Sequence, residues 1–214
     1  MSSRLDMSTM LTIHAALRRD LEQVARIASR RDSTDVTRLR AARGWQQFKK
    51  FLVVHHQAED DVLWPALRAT VAGSPDQLAL VDALEQEHAV IDPLFRAAGE
   101  AAGSRSFGDV VDELVTKLGG HLAHEESDGL DLIDASLSLA DWQRFGRVHG
   151  ERLTGDAATY MPWLLDGAGP RVVAAFLANI PPALAAAYRG QWASDYAALQ
   201  LWDAMDAPSG VSGS

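Results

Sequence analysis

A chain of 214 residues, of which 47% are hydrophobic and 23% charged, is long enough for one core of ordinary size and is typical of a folded globular protein. The formal net charge of −9 argues against nucleic acid or an acidic membrane as a partner, because phosphate binding depends on clustered Lys and Arg. The absence of cysteine excludes disulfides, iron–sulfur clusters and thiolate metal sites, so any bound metal must be held by nitrogen and oxygen atoms.

The N-terminal sequence MSSRLDMSTM lacks the apolar core of a signal peptide. No apolar run approaches the roughly 20 residues that a membrane span needs. The sequence therefore predicts a cytoplasmic protein.

Four long amphipathic helices are predicted in residues 1–135, because apolar residues recur there at intervals of three and four. They cover about residues 10–31, about residues 35–64, residue 76 to the glycines at 99 and 103, and residue 106 to the break at 127–129. Pro65 is expected to kink or end the second helix. Short connections between long helices favour an all-α, up-down-up-down four-helix bundle.

The sequence after residue 135 has a different character, with short helices punctuated by prolines and with four of the six tryptophans. Residues 136–206 are predicted to form a helical extension. Two alternatives remain open for it. It packs on the bundle near Trp64 and Gly129 and narrows access to the interior, or it forms a homodimer interface. Residues 207–214 are predicted to be a disordered tail.

Two pairs of a histidine and a glutamate stand four residues apart, one pair in the second predicted helix and one in the fourth, so each pair shares a helix face. A single histidine occupies the apolar seam of the first helix and another that of the third. The connection lengths place all four histidines within a turn or two of one depth. The six seam residues are His14, His55, Glu59, His88, His121 and Glu125.

Buried carboxylates need a cation, and the seam has no Lys or Arg to supply one. Six nitrogen and oxygen ligands exceed the needs of one tetrahedral zinc. They suit two borderline divalent ions with bridging carboxylates, and iron, manganese or a mixed pair would use the same ligand types. Coordination positions left over would admit a small molecule.

The polar neighbours of these six residues are expected to lie mostly outside the ligand set. His56, Asp60 and Asp61 point one or two helical steps off the seam, which favours a solvated face. For Asp92 two alternatives remain, a hydrogen bond to His88 or a seventh ligand. His124 and Glu126 are predicted not to bind metal, and His149 is predicted to be a surface residue.

The sequence resembles the hemerythrin-like, HHE cation-binding family over about residues 10–135. The resemblance rests on a histidine in the first helix, HHQAEDDVLWP in the second, EHAVID in the third and HLAHEE in the fourth. The resemblance implies a non-haem di-iron centre with the four histidines as terminal ligands and the two glutamates as bridges. Oxygen-carrying hemerythrins have a second histidine one turn from the first in the third helix, where this chain has Leu84 and Asp92. Its pattern looks more like the iron–sulfur-repair and stress-response branch.

The sequence thus predicts a di-iron protein that binds or reduces a small oxidant such as dioxygen, peroxide or nitric oxide. It would act as a sensor, a scavenger or a slow peroxidase or catalase, as a monomer or homodimer. The alternative is an iron-holding or iron-delivery protein in which the iron is cargo. A scavenger would retain iron during turnover, whereas a delivery protein would lose it to an acceptor.

Overall fold

The structure is a computed structural model that describes residues 4–29, 42–100, 107–199 and 201–202. Every regular element in these ranges is helical, so the predicted all-α class is confirmed for them. None of the helices there has the length and apolar character that crossing a lipid bilayer requires.

Four helical runs make up the N-terminal part of the described chain. In order they are α1 (Ser8–Ala28), α2 (Arg43–Ala58) with α3 (Trp64–Thr70), α4 (Pro75–Glu100), and α5 (Phe107–His124) with α6 (Leu130–Ser136). A π-helical turn, Glu59–Leu63, joins α2 to α3. A second π-helical turn, Glu125–Gly129, joins α5 to α6.

Shorter helices follow. They are α7 (Leu139–Arg152), α8 (Ala157–Leu165), α9 (Pro170–Ala178), α10 (Pro182–Ala187) and α11 (Ala193–Ala197). A short 3-10 turn, Thr154–Asp156, precedes α8, and a third π-helical turn, Tyr188–Trp192, joins α10 to α11.

Several predicted boundaries fall outside the described residues. They are the end of the first helix at Arg31, the start of the second near Asp35, the exit of the third at Gly103, the start of the fourth at Ser106, and the tail at 207–214. Gly99, which was expected at the exit of the third helix, lies within α4.

The second helical run does not end at Pro65, although the sequence favoured a kink or an end there. Pro65 is the second residue of α3 and follows a π-helical turn. In that turn the Trp64 N–H donates to the carbonyl of Glu59, five residues before it, which makes the helix wider. A wider turn gives the proline ring room beside the preceding carbonyls, so the helix continues to Thr70.

Buried apolar residues form two clusters. The seam histidines lie at one depth in the helical runs, here called the histidine level, and this level is between the two clusters. On α4, Leu84 belongs to one cluster, Ile91 to the other, and His88 lies between the two. The same order holds on α1, where Met10 and Leu17 belong to different clusters. A polar layer is therefore enclosed by two apolar layers.

The C-terminal helices pack against the N-terminal runs inside these clusters. Tyr160 and Trp163 of α8 contact Phe51 of α2, with ring centroids 5.1 and 4.6 Å apart. Phe145 of α7 lies in the other cluster together with Trp64. The extension thus contributes to both apolar layers, while the homodimer alternative stays a prediction.

Asp20 of α1 is a buried carboxylate that links α1 to α8. The indole N–H of Trp163 donates to Asp20 Oδ2 at 2.6 Å, and Arg19 donates to Asp20 Oδ1 at 3.3 Å. Burial raises the pKa of Asp20 to about 6 and outweighs the opposing effects of Arg19 and Trp163. The carboxylate therefore holds its proton more tightly in the folded protein than in the unfolded chain.

We predict that Asp20→Asn removes one component of the pH dependence of stability. Because the pKa of Asp20 is raised on folding, the stability it contributes is present in full below about pH 4 and is lost as the pH rises through about 6. The loss amounts to about 3 kcal/mol, at about 1.4 kcal/mol for each unit of pKa. Urea unfolding from pH 4 to pH 7 measures it, and the wild-type free energy of unfolding should fall relative to that of the variant.

Asp166→Asn provides the matched control. Asp166 is exposed, lies 3.8 Å from the same Arg19 and makes only the smallest contribution to the raised pKa of Asp20, so its replacement should leave most of the wild-type pH dependence in place. Parallel wild-type and Asp20→Asn curves between pH 4 and pH 6 would contradict the prediction.

Candidate metal centre

The structure buries all six seam residues and brings them together. None of these residues is more than 2% exposed. The six are His14, His55, Glu59, His88, His121 and Glu125. Each lies on α1, α2, α4 or α5 or at the first position of a π-helical turn, so the four N-terminal runs all contribute.

The potential ligand atoms form two groups, and within each group they lie within 4.8 Å of one another. The first group consists of His14, His55, Glu59 and Glu125. The second consists of His56, His88 and His121. The second group contains a histidine that the sequence did not assign to the site.

Glu59 belongs to the first group and also faces the second. Its Oε1 is 3.3 Å from Nε2 of His55 in the first group, and its Oε2 is 3.5 Å from Nε2 of His88 in the second. One carboxylate oxygen therefore faces each group, which is the arrangement that a bridging carboxylate needs.

Glu125, the other carboxylate of the first group, faces the second group as well. Its Oε2 is 3.2 Å from Nε2 of His14 and 3.9 Å from Nε2 of His121. Glu125 begins the π-helical turn that ends at Gly129, and a Cβ at Gly129 would lie only 3.0 Å from Cγ of Glu125 and 3.1 Å from Leu84. The absence of a side chain at this glycine keeps the space that the glutamate occupies.

His56 was expected on a solvated face, and the structure corrects this. The residue is 1% exposed, and its ring stacks on that of His88, with 3.9 Å between the ring centroids and 11° between the ring planes. The His56 Nδ1–H donates to Asp92 Oδ1 at 3.1 Å, while its Nε2 has no hydrogen-bond partner in the described chain. His56 therefore offers a free nitrogen beside His88 and His121.

Little in the sequence pointed to His56. Asp92 lies one turn after His88, and two alternatives were open for it, a hydrogen bond to His88 or a place as a seventh ligand. In the structure Asp92 belongs to neither group of potential ligands, and its hydrogen bond goes to His56 on the neighbouring helical run. The two residues are 36 positions apart, so no local spacing connects them.

Carboxylates outside the two groups hold four of the five histidines by their Nδ1 atoms. The contacts are His14 to Glu126 at 2.9 Å, His56 to Asp92 at 3.1 Å, His88 to Asp60 at 2.7 Å, and His121 to Glu87 at 2.8 Å. An ionised carboxylate only accepts hydrogen bonds, so each Nδ1 carries the proton. The Nε2 of each ring is then the nitrogen that faces the centre, as in histidine ligands of known metal sites.

His55 is the exception. Its Nδ1 is buried without a hydrogen-bond partner among the described residues. The ring of His149 stands edge-on to the His55 ring, 6.2 Å between centroids. His149 was expected at the surface but is 7% exposed, and burial with the nearby charge of Arg152 lowers its pKa to about 4.

The remaining neighbours lie outside both groups. Asp61 is exposed and accepts a hydrogen bond from Arg152 of α7 at 2.7 Å. His124 is partly exposed and donates to Glu87 at 2.9 Å, so that Glu87 contacts both His124 and His121. These contacts brace the histidine level from outside.

The pKa shifts of the buried groups show that two ionised carboxylates are unfavourable in this interior. Burial and the nearby charge of Glu125 raise the pKa of Glu59 well above its ordinary value. Burial disfavours a charged His14, but the carboxylates of Glu125 and Glu126 outweigh it and raise the pKa of His14 to about 9. Protons thus supply positive charge to the site.

The donor set fits a pair of divalent ions. All four oxygens of Glu59 and Glu125 are buried, and none has a hydrogen-bond partner within the described ranges. Leaving such groups unpaired in the interior is costly. Five imidazole nitrogens and two carboxylates with no thiolate suit iron or manganese, and the cations would satisfy the unpaired oxygens.

Comparison with known protein families agrees with this geometry. The family model of the hemerythrin HHE cation-binding domain matches residues 6–133, more than half of the chain. The matched segment contains every residue of the two groups. No curated protein and no solved structure matched the chain.

We predict that Gly129→Ala weakens metal binding without unfolding the helix. Its Cβ would press on Cγ of Glu125 and on Leu84, and the glutamate must move by a few tenths of an ångström. We expect about a ten-fold lower affinity, as for other changes that misplace a ligand. Competition between the protein and a chromophoric chelator for Mn²⁺ measures it, with circular dichroism to follow helix content.

Gly119→Ala is the matched control on the same helical run. A Cβ at Gly119 meets no atom within 4 Å, so this change should leave the affinity unaltered and stabilise the helix by up to about 1 kcal/mol. Equal affinities for the two variants would show that Gly129 does not set the position of Glu125.

Proposed function

The chain belongs to the hemerythrin HHE cation-binding family, and on that basis we propose that it is a non-haem di-iron protein that binds or reduces a small oxidant. The oxidant is dioxygen, peroxide or nitric oxide, and the role is in the response to oxidative or nitrosative stress. The observation that carries the proposal is the pair of buried glutamates, each lying between two histidine groups with its oxygens unpaired.

The proposed fold of residues 6–133 is the up-down-up-down bundle of four helical runs. Two observations support it. Each of the four runs contributes to the histidine level, and only residues 71–74 separate α3 from α4. A connection that short places consecutive helices side by side and antiparallel.

We propose seven protein ligands, one more than the sequence predicted. The three histidines of the second group would hold one ion and the two histidines of the first group the other, and both glutamates lie close to histidines of the two groups. The proposed ligands are His14, His55, His56, Glu59, His88, His121 and Glu125. The first group offers one histidine fewer than the second, so an ion there would keep more open coordination positions for a small oxidant.

The residues around the proposed di-iron centre would support its reaction with a small oxidant in two ways, by orienting the histidines and by excluding water. Iron, when bound, supplies redox equivalents and open coordination positions. Glu87, Asp60, Asp92 and Glu126 fix the tautomer and orientation of the histidines. The two apolar clusters keep bulk water from the polar layer, which strengthens the electrostatic interactions inside it.

Iron delivery is the alternative that the sequence left open. All seven proposed ligands are at most 2% exposed, and four of the five histidines are held from outside by carboxylates. Release of iron would require these contacts to open. The burial therefore favours a centre that keeps its metal, and iron retention during reaction separates the two functions.

We predict that His56→Leu lowers iron binding from about two ions per chain to about one, because the second group loses a ligand. His124→Leu is the control, since His124 contacts Glu87 but belongs to neither group. Iron per chain is measured after anaerobic reconstitution and gel filtration, with circular dichroism to confirm folding. Two ions retained in His56→Leu would remove His56 from the ligand set.

We predict that the di-ferrous protein reacts with at least one of dioxygen, peroxide and nitric oxide while keeping about two irons per chain. Optical spectra recorded on addition of each oxidant, followed by metal analysis, test this. Iron lost to a competing acceptor with no spectral response to any of the three would favour delivery. A single zinc that iron does not replace would contradict the di-iron assignment.

A further inference from the structure

A half-open cleft of about 1440 Å³ lies between α1 and the C-terminal helices α7, α8 and α9. On α1 it is lined by Met10 and Ile13, which lie one turn and one residue before His14. On α7 it is lined by His149, whose ring stands edge-on to that of His55, with 6.2 Å between the ring centroids. The cleft therefore adjoins the two histidines of the first group, although neither of them lines it.

His149 separates the cleft from the proposed metal ligands by the thickness of one side chain. It is 7% exposed, lines the cleft and contacts His55 with its ring. Its other ring contacts are with Phe145 and Tyr160, whose ring centroids lie 6.3 and 6.0 Å from its own. A contact between rings fixes an orientation less firmly than a hydrogen bond to a carboxylate does. The cleft thus offers this ring space to turn into.

Carboxylates close the outer side of the other four histidines of the centre. Asp60 holds His88 at 2.7 Å, for example, and Glu87 holds His121 at 2.8 Å. A molecule that entered past such a ring would have to disrupt a charge-assisted hydrogen bond. The Nδ1 of His55 makes no such bond, since it is buried without a partner among the described residues. The shell around the centre therefore opens at the lowest cost beside His55.

We propose that small molecules reach the metal centre from the cleft and pass His149, whose ring turns aside to admit them. The inference rests on the proposed function, because it supplies the route of the small oxidant. A second observation points to the same side of the molecule. The first group offers one histidine fewer than the second, so the ion with more open coordination positions would be the one that the cleft adjoins.

A smaller pocket offers the competing entry side. It measures about 290 Å³, and its lining includes Glu87, Val90 and Lys117. Glu87 accepts hydrogen bonds from both His121 and His124, at 2.8 and 2.9 Å, so it closes this pocket toward the centre. Val90 is 45% exposed and can carry a larger side chain without disturbing the core. Val90→Trp therefore fills this pocket and serves as the control.

The first test measures the passage of water, so it requires metal binding but no redox reaction. The full chain is loaded with Mn²⁺, and the exchange of water between the Mn²⁺ site and the solvent is followed by ¹⁷O NMR relaxation. His149→Ala should raise the exchange rate and His149→Trp should lower it, each by about ten-fold, the factor that a barrier change of about 1.4 kcal/mol produces. Val90→Trp should leave it unchanged. The affinity for Mn²⁺ should stay at the wild-type value in all three variants, because none of them removes a proposed ligand.

The second test measures the entry of nitric oxide into the di-ferrous protein. Its association rate constant, obtained from stopped-flow absorbance, should follow the same order, with His149→Ala fastest and His149→Trp slowest. Circular dichroism confirms that each variant is folded. If His149→Trp folds poorly, His149→Ala decides alone, since a smaller side chain on the route should raise both rates.

The outcomes separate the route from the proposed chemistry. Wild-type rates of water exchange and nitric oxide entry in His149→Ala would overturn the route and leave the proposed function in place, and slower rates in Val90→Trp would place the entry at the smaller pocket instead. A changed affinity for Mn²⁺ without a change in either rate would show that His149 only positions His55. Water exchange that depends on His149, with no spectral response to nitric oxide, dioxygen or peroxide, would support the route and contradict the proposed reaction with an oxidant.

Discussion

Two carboxylates enclosed without hydrogen-bond partners are the constraint on which the rest of this molecule depends. Glu59 and Glu125 have no exposed surface and lie between apolar layers above and below. An apolar core alone would reject them, because an unpaired buried charge is among the most destabilising features a fold can contain. Five imidazoles surround the pair, and the proposed cations complete the balance of charge. The four helical runs thus hold five imidazoles and the proposed cations around the two carboxylates.

Part of the acidic character behind the net charge of −9 lies in carboxylates that surround the histidines. Asp60, Glu87, Asp92 and Glu126 each touch a ring nitrogen that faces away from the centre. Burial alone would raise the pKa values of Glu87, Asp92 and Glu126, but their hydrogen bonds with the histidines outweigh it and lower them. These three carboxylates therefore add a negative field around the site. Such a field attracts cations and repels anions such as phosphate.

The helices and the six seam residues were readable from the sequence because they obey local rules. Apolar periodicity places the helices, and a spacing of four puts His55 with Glu59 on one helix face. These local rules do not predict the position of His56. It lies a third of a turn from the seam and is buried only because α4 packs there, and its partner Asp92 is 36 residues distant. The position of His149 depends on how the C-terminal helices fold back, which no local pattern encodes.

The π-helical turns bear on how such a chain can change in length. A π-helical turn corresponds to an α-helix with one residue inserted. Deleting one residue from Glu59–Leu63 would therefore restore an α-helical turn and leave the direction of α3 nearly unchanged. Keeping all five residues in an α-helical turn would instead rotate everything beyond it by up to about 100° and turn the buried Leu67 away from its cluster. The face that α3 turns to the core is therefore fixed by the width of this turn, not by the composition of α3. An alignment that counts matched motifs but ignores this single inserted position would assign the wrong face of α3 to the core.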